Sequence, residues 1–324
     1  MSLLQQAPRF APADAERLAR DLYGLDTAAV SLPSERDQNF VLTIAAGDRF
    51  VLKIANAAED RAMLEAQNAA MAHVAGRMAI CPRLLPTIAG ETIGLAPGGA
   101  HFVRLVTYLA GVPLAEVGDR TPALFESLGR AVGRLDASLA DFDHPAIHRR
   151  FHWDLANAAS IIREHLPLMR VDAHRDLVDR VSTAALNAVG PRVSAFRRST
   201  IHNDANDWNV LVSNHEIAGI IDFGDMVHSW TVADPAVAVA YAVLDSADPL
   251  AMADTIAGGY QAEHPLREEE VAAVFPLACL RLCMSACIAA WQQRQRPDDD
   301  YLAVSQEPIR RTLPALADLL EKRI

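Results

Sequence analysis

Apolar residues recur with two different periods along the chain, and the change of period divides it. Pro12 and Gly24 bracket roughly three turns of helix, with proline suited to the first turn and glycine to the stop. Residues 39–46 (NFVLTIAA) and 48–55 (DRFVLKIA) are rich in strand formers, and Gly47–Asp48 between them predicts a hairpin turn. Residues 58–76 return to helical spacing, with Met63, Gln67, Ala70, Met71 and Val74 in register and Gly76 as the stop. After a Pro/Gly-rich passage at 81–99, HFVRLVTYL reads as a further strand. The first part is therefore predicted to be a small antiparallel sheet with a helix packed on it.

From about Gly111 the spacing is helical. Thr121 followed by Pro122 predicts an N-cap with proline at the first helical position, and Leu124, Leu128, Ala131, Val132, Leu135 and Leu139 then form a core stripe. Further helices are predicted at 155–165, 175–187, 232–244, 249–260 and 268–295, around one non-helical island at 200–227. The predicted architecture is α+β, with a small antiparallel sheet lobe at 1–108 and a larger, mostly helical lobe at 109–324.

Composition narrows the possibilities. A chain of 324 residues, 51% hydrophobic and 22% charged, can bury a sizeable core and is neither disordered nor a disulfide scaffold. A net charge of −11 repels polyanions, so no nucleic-acid partner is expected. The four cysteines read as reduced thiols, and the first twenty residues lack the basic and apolar regions of a leader, so a cytoplasmic protein is expected. The apolar stretch at 271–291 has the length of a membrane span, but Pro276 and Arg281 lie inside it; a buried helix is expected, with no membrane partner. Cys279, Cys283 and Cys287 fall on one face of that helix without a nearby histidine and read as packing residues rather than metal ligands. His144, His148 and His152 also step by four, but no H-E-x-x-H is present, and solvated or capping roles are expected. Oligomeric state is not encoded in any of these patterns.

The island carries the chemistry. Within STIHNDANDWNVLV, the side chains of His202, Asp204, Asn206, Asp207 and Asn209 crowd a short loop ahead of a strand, and GIIDFGD follows with Asp222. Two strands of a hairpin would bring Asn209 and Asp222 together, and an amide oxygen converging on a carboxylate suits a hard cation such as Mg²⁺. The step from Asp204 to Asn209 matches H-R-D-x-x-x-x-N of protein kinases, and Asp222-Phe223-Gly224 supplies D-F-G. Lys53 stands on an upstream strand, and Glu65 on the next helix is placed to pair with it. Glu65 has a second partner in reach, Arg61 one turn back, and Glu59 is the rival acid for Lys53. There is no G-x-G-x-x-G, no A-P-E and no G-x-x-x-x-G-K, and Asn203 stands where protein kinases have arginine. His202 reads as a structural residue, Asp225 as a metal or acceptor residue or a turn cap, and Asp234 as a helix cap or a support for the loop.

At these residues the sequence resembles the aminoglycoside phosphotransferase/choline kinase-like family, which carries H-x-D-x-x-x-x-N followed by I-D-F-x-D, here 202–209 and 221–225. Within it, the stretches LPSERDQNF, VRLVTYLAGVPL, HWDL, HNDANDWNVLV and IDFGDMVHSW resemble the hydroxylysine kinase branch. The resemblance implies a two-lobed, protein-kinase-like fold and transfer of the γ-phosphoryl of ATP or GTP, with Mg²⁺, to a hydroxyl of a small amino alcohol. Asp204 would be the base, and Asn209 and Asp222 the metal ligands. Lys53 would bind the α/β phosphates, steadied by Glu65. Ser34, Gln38 and Asn39 would belong to a loop over the phosphates, and the backbone of Thr107, Tyr108 and Leu109 would meet the purine. Asp154, Asp207, Asp225 and Trp230, with Trp153 and Trp208, are candidates for the hydroxyamine acceptor. If that acceptor bears a carboxylate, Arg281, Arg104 or His228 is its partner. An aminoglycoside, choline or homoserine kinase of the same family, or a catalytically silent nucleotide-binding module, is the alternative.

Overall fold

In the computed structural model the described residues are 8–34, 36–297 and 305–322. The chain divides into two compact units, Met1–Leu109 and Ala110–Ile324. The first opens with helix α1 (Pro12–Tyr23), which ends on Gly24 at φ 67°, a left-handed cap that glycine adopts without strain. Strands β1 (Thr27–Leu32), β2 (Gln38–Ile44) and β3 (Arg49–Ile54) follow, then helix α2 (Arg61–Val74) and strands β4 (Leu84–Leu85), β5 (Gly94–Leu95) and β6 (Phe102–Thr107). All pairings are antiparallel, in the order β1-β2-β3-β6-β4, with β5 also on β6. Alternation places Phe40, Leu42, Leu52, Ile54, Val103 and Leu105 in one core with Ala15, Leu18, Ala19 and Tyr23 of α1. Lys53 lies between Leu52 and Ile54 and so belongs to the opposite face, level with Asn39 on β2 and Arg104 on β6. Arg104, 3% exposed, donates from Nη1 to Asn68 Oδ1 of α2 at 3.1 Å, which fixes that helix over the Lys53 face.

The second unit begins with β7 (Val112–Pro113) and helix α3 (Pro122–Leu139), capped by the Thr121 hydroxyl accepting from Leu124 N–H. Helices α4 (Ala158–His165) and α5 (Ala173–Val189) come next, followed by strands β8 (Arg198–Ile201), β9 (Val210–Ser213), β10 (Glu216–Ile220) and β11 (Val227–Trp230). Helices α6 (Ala233–Ala242), α7 (Pro249–Glu263), α8 (Glu268–Gln295) and α9 (Gln306–Glu321) complete it. The strands form two small antiparallel sheets, β10-β9-β7 and β11-β8. Helix α8 is apolar enough for a membrane, yet 89% of its most apolar window is buried within the fold, so it is a core helix. All four cysteines are buried thiols. Burial pushes the Cys279 and Cys287 thiols up to about 12 and Cys283 also well above its usual range, so they pack as small neutral residues.

Two features of this unit hold the polar island in place. Helices α3 and α7 cross at glycines: a Cβ on Gly129 would stand 2.0 Å from the Ile256 carbonyl oxygen, and one on Gly259 would stand 2.3 Å from that of Glu126. This close approach sets Tyr260 of α7 beside Asp136 of α3, whose Oδ2 accepts from the phenol at 2.5 Å. Asp136 is buried next to Asp234 of α6, and burial together with the Asp234 charge holds its carboxyl well above the usual range. Asp234, wholly buried, accepts from the backbone N–H of His202 (3.1 Å) and of Asn203 (2.5 Å). The sequence left Asp234 as a cap or a loop support; its bonds make it the support.

Gly129→Ala should destabilise the protein by about 3 kcal/mol, because backbone must move to admit the methyl group; urea unfolding of the two chains checks it. The Asp136→Asn variant tests the buried acid. Above the ordinary carboxyl value of 3.8 the unfolded chain ionises while native Asp136 stays protonated. The natural chain therefore loses stability as pH rises, and the asparagine variant does not. Melting temperatures should show the variant gaining on the natural chain from pH 5 to pH 8; a gap that does not change with pH would refute the assignment.

Candidate active site

Strand β8 ends in Ile201, and the chain then turns sharply. Asn203 sits at φ 66°, in the left-handed region that asparagine enters more readily than most side chains. Its Nδ2 donates to the Asp225 carbonyl at 3.2 Å, tying this loop to the one after Asp222. His202 is wholly buried, and burial lowers its pKa, which keeps the ring neutral. Its Nδ1 accepts from Asp204 N–H at 3.3 Å, and its ring meets Phe223 edge-on at 5.0 Å. These contacts are those of a structural residue.

Asp204 follows, its side chain 19% exposed. Oδ1 accepts from Asn206 Nδ2 at 2.9 Å and from Arg281 Nη2 at 3.1 Å; Oδ2 accepts from Asn209 Nδ2 at 2.7 Å. Burial, with help from Asp225 and Asp222, pushes its carboxyl up, and the Arg281 charge and the Asn206 bond pull against that. Asn206 also closes the loop, its Oδ1 accepting from Trp208 N–H (2.8 Å) and Asn209 N–H (3.1 Å). Asn209 Nδ2 donates to both the carboxylate and the carbonyl of Asp204, so its own Oδ1 is left without a donor among the described residues.

The β9–β10 hairpin brings Asn209 and Asp222 to one end. Ile221 N–H donates to the Asn209 carbonyl at 2.9 Å, and Asp222 is the next residue. Asp222 is at φ 64°, a strained turn closed by Gly224 N–H donating to its Oδ1 at 3.1 Å. An amide oxygen and carboxylates with no thiol or imidazole among them form a donor set for a hard, oxygen-seeking cation. No group of three or more His, Cys, Asp or Glu among the described residues makes a metal cage by itself. Asn209 and Asp222 are side chains of the kind that could hold a divalent cation which keeps phosphate or water oxygens in its shell.

The four acceptor candidates have different surroundings. Asp225, 6% exposed, is the one whose charge acts on Asp204. Asp154 accepts from Ser229 Oγ (2.6 Å) and Ala156 N–H (2.9 Å), capping the turn that leads into α4. Trp230 lies at the far end of β11, edge-on to Phe196. Asp207 lines a cavity of about 790 Å³ with Trp208, Arg120 and Asp248, and burial, opposed by Arg120, pushes its carboxyl up to about 6. Of the three cations weighed for an acceptor carboxylate, Arg104 is bonded to Asn68, His228 stacks on His148 at 4.4 Å, and Arg281 stands against Asp204. His148 in turn binds Asp143 at 2.6 Å and His144 caps a turn through Ala146 N–H.

In the first unit, Glu65 accepts from Arg61 Nε at 2.9 Å, the one-turn pairing along α2. The Gln38 amide is spent on the Phe10 backbone, donating to its carbonyl at 2.8 Å and accepting its N–H at 2.7 Å. Asn39 faces Lys53 across the β2–β3 ladder. Ser34 lies in the segment between β1 and β2, where Glu35 is outside the described residues. That segment is moored by Asn56, 1% exposed, which donates from N–H to Asp37 Oδ1 and from Nδ2 to the Arg36 carbonyl. Thr107 and Tyr108 N–H donate to the Arg83 and Arg49 carbonyls, whereas Leu109 N–H has no acceptor among the described residues.

Residues 29–271 match the APH phosphotransferase enzyme family. The hydroxylysine kinase of Mus musculus is 29% identical over 347 residues, covering 98% of this chain and 92% of the relative. That of Danio rerio is 29% identical over 338 residues, covering 98% and 95%. Among solved structures, a microcompartment-associated aminopropanol kinase superposes with a TM-score of 0.73 at 16% identity, covering 96% of both chains. An amicoumacin kinase in complex with AMP-PNP and Ca²⁺ superposes with a TM-score of 0.71 at 15% identity, covering 94% of this chain and 93% of the other. With well over half of its length inside the family match and the fold shared with these kinases, the chain belongs to the APH phosphotransferase enzyme family and is a small-molecule kinase that phosphorylates hydroxyl groups.

Proposed function

We propose that the protein transfers the γ-phosphoryl group of ATP or GTP to the side-chain hydroxyl of 5-hydroxylysine or a closely related amino alcohol. The observation that carries this reading is the pairing of Asp204 with Asn209: one amide aligns the carboxylate, and the backbone of the same residue pairs with Ile221, the neighbour of Asp222. Phosphoryl transfer asks little covalent chemistry of a protein; it asks for in-line placement and for neutralised phosphate charge. Asp204 accepts a hydrogen bond from the acceptor hydroxyl and takes its proton as the oxygen attacks phosphorus. Asn209 Oδ1 and the Asp222 carboxylate would hold Mg²⁺, which supplies the positive charge that phosphate oxygens need. Lys53 binds the α/β phosphates and Leu109 N–H meets the purine edge. For Glu65, steadying Lys53 competes with its bond to Arg61. The concentration of acid around Asp204, from Asp222 and Asp225, favours an acceptor that carries an ammonium group. The relatives that cover nearly the whole chain are named for hydroxylysine, and one structural neighbour for aminopropanol, both amino alcohols.

The test is nucleoside diphosphate release from ATP and from GTP, with Mg²⁺, across 5-hydroxylysine, 1-amino-2-propanol, ethanolamine, choline, homoserine and kanamycin. Turnover should depend on the acceptor and be fastest with 5-hydroxylysine. Asp204→Asn should lower kcat by about 10³-fold while nucleotide binding persists. Diphosphate release that ignores every acceptor, or an Asp204→Asn variant with full activity, would overturn the reading.

A further inference from the structure

Arg281 is a cation at the centre of an apolar core helix, and nothing in the fold of α8 requires it. It is 1% exposed. Its Nη1 donates to the Trp153 carbonyl at 2.6 Å and its Nη2 to Asp204 Oδ1 at 3.1 Å. The guanidinium lies 4.6 Å from the centre of the Trp153 ring and 5.9 Å from that of Tyr241, within range of both aromatic faces. Nε has no acceptor among the described residues. A side chain 2% exposed beside a carboxylate 19% exposed is not within reach of a substrate; the carboxylate is. Arg281 therefore acts on Asp204, not on the acceptor.

The bonds on that carboxylate can be counted. A carboxylate oxygen has two good acceptor positions. Asp204 Oδ1 has both taken, by Asn206 Nδ2 and Arg281 Nη2, whereas Oδ2 has one taken, by Asn209 Nδ2. We infer that Arg281 is a positioning residue for phosphoryl transfer: anchored on the Trp153 carbonyl, it donates with Asn206 to Asp204 Oδ1 and fixes that oxygen, so that the remaining lone pair of Oδ2 is the one that receives the acceptor's proton. In the step itself the acceptor O–H bond breaks and its proton passes to Oδ2. The acceptor oxygen bonds to the γ-phosphorus, and the bridging O–P bond breaks with its electron pair leaving on the nucleoside diphosphate. The inference rests on Asp204 being the base, as proposed above. The fork geometry of arginine is what joins two acceptors on different segments; lysine would keep the charge but lose one of them.

The experiment is a double-mutant comparison on the full chain, with MgATP or MgGTP and 5-hydroxylysine or 1-amino-2-propanol, and nucleotide affinity read by calorimetry. Arg281→Lys should lower kcat by about 10²-fold with nucleotide Kd and acceptor KM changed by less than about threefold. In an Asp204→Asn background the same change should cost nothing further, because the group it positions is already disabled. A folding defect alone would lower the active fraction in either background and would not vanish in the second. Should Arg281→Lys fail to fold, Arg281→Gln serves: it removes the charge and the fork that joins two acceptors, keeps an amide donor, adds no carboxylate beside Asp204, and should show the same selective loss of kcat. A near-natural kcat in whichever of these variants folds, or losses that multiply in the Asp204→Asn background, overturns the positioning role. An unchanged kcat in Asp204→Asn itself would instead refute the base assignment, so the two failures are told apart.

Discussion

The polar island depends on one wholly buried carboxylate. Asp234 accepts from the backbone N–H groups of His202 and Asn203 in succession, at the point where Asn203 turns through a left-handed φ. Two adjacent buried N–H groups without acceptors would each bear the full cost of desolvation, and the turn would open. Everything downstream inherits that fixed start: His202 presents Nδ1 to Asp204 N–H, Asn203 holds the Asp225 carbonyl, and the β9–β10 hairpin begins in register. Its neighbour Asp136 is held well above the usual carboxyl range by burial and by the Asp234 charge, so Asp136 keeps its proton. The glycine crossing of α3 and α7 is what allows that neighbour and Tyr260 to stand close enough.

The second constraint is charge. Burial pushes the Asp204 carboxyl up, and the charges of Asp225 and Asp222 add to that push. Arg281 offsets part of that negative charge, and it is placed so that its own charge does not reach the surface of the site. The surplus acid that remains is suited to a divalent cation and to an ammonium-bearing acceptor. Asp154 and Asp207 sit in other surroundings: one caps a turn and accepts from Ser229, and the other lines a cavity with Arg120.

Much of this was legible in the chain. The five-residue step from Asp204 to Asn209, the following D-F-G, the strand lysine and the apolar helix at 268–295 all stand where their patterns place them. What escaped had no local signal. Strand β1 is an edge strand that buries no side chain fully, its positions ranging only between half-buried and exposed, so its apolar signal is weak. Strands β8 and β11 hold four residues each and pair across more than twenty intervening residues. Gly129 and Gly259 look like weak points in a helix, and the close crossing that uses them exists in the packed structure alone. Arg281 was visible as a charge that spoils a membrane span and as one of three partners for a carboxylate. Its actual partner lies 77 residues away, a pairing no window on the sequence contains. Asp136 carried no signal at all, since its role comes from burial beside a second acid.

Helix α8 joins these strands of the argument. A helix of membrane-like hydropathy needs an environment as dry as a bilayer, and the second unit provides one by packing α4, α5, α6 and α9 around it. A dry environment makes a lone guanidinium costly, and the cost is removed only if the group finds a carboxylate and carbonyls with good geometry. Asp204 and the Trp153 carbonyl meet that demand, with aromatic faces filling the rest of the surround. The same low dielectric that makes the pair obligatory also makes it stiff, because any rotation of Asp204 would strand a buried cation. The partly exposed carboxylate of the proposed base is thus held rigid by a partner whose side chain is only 2% exposed. The apolar character of the helix is therefore part of how the site is built.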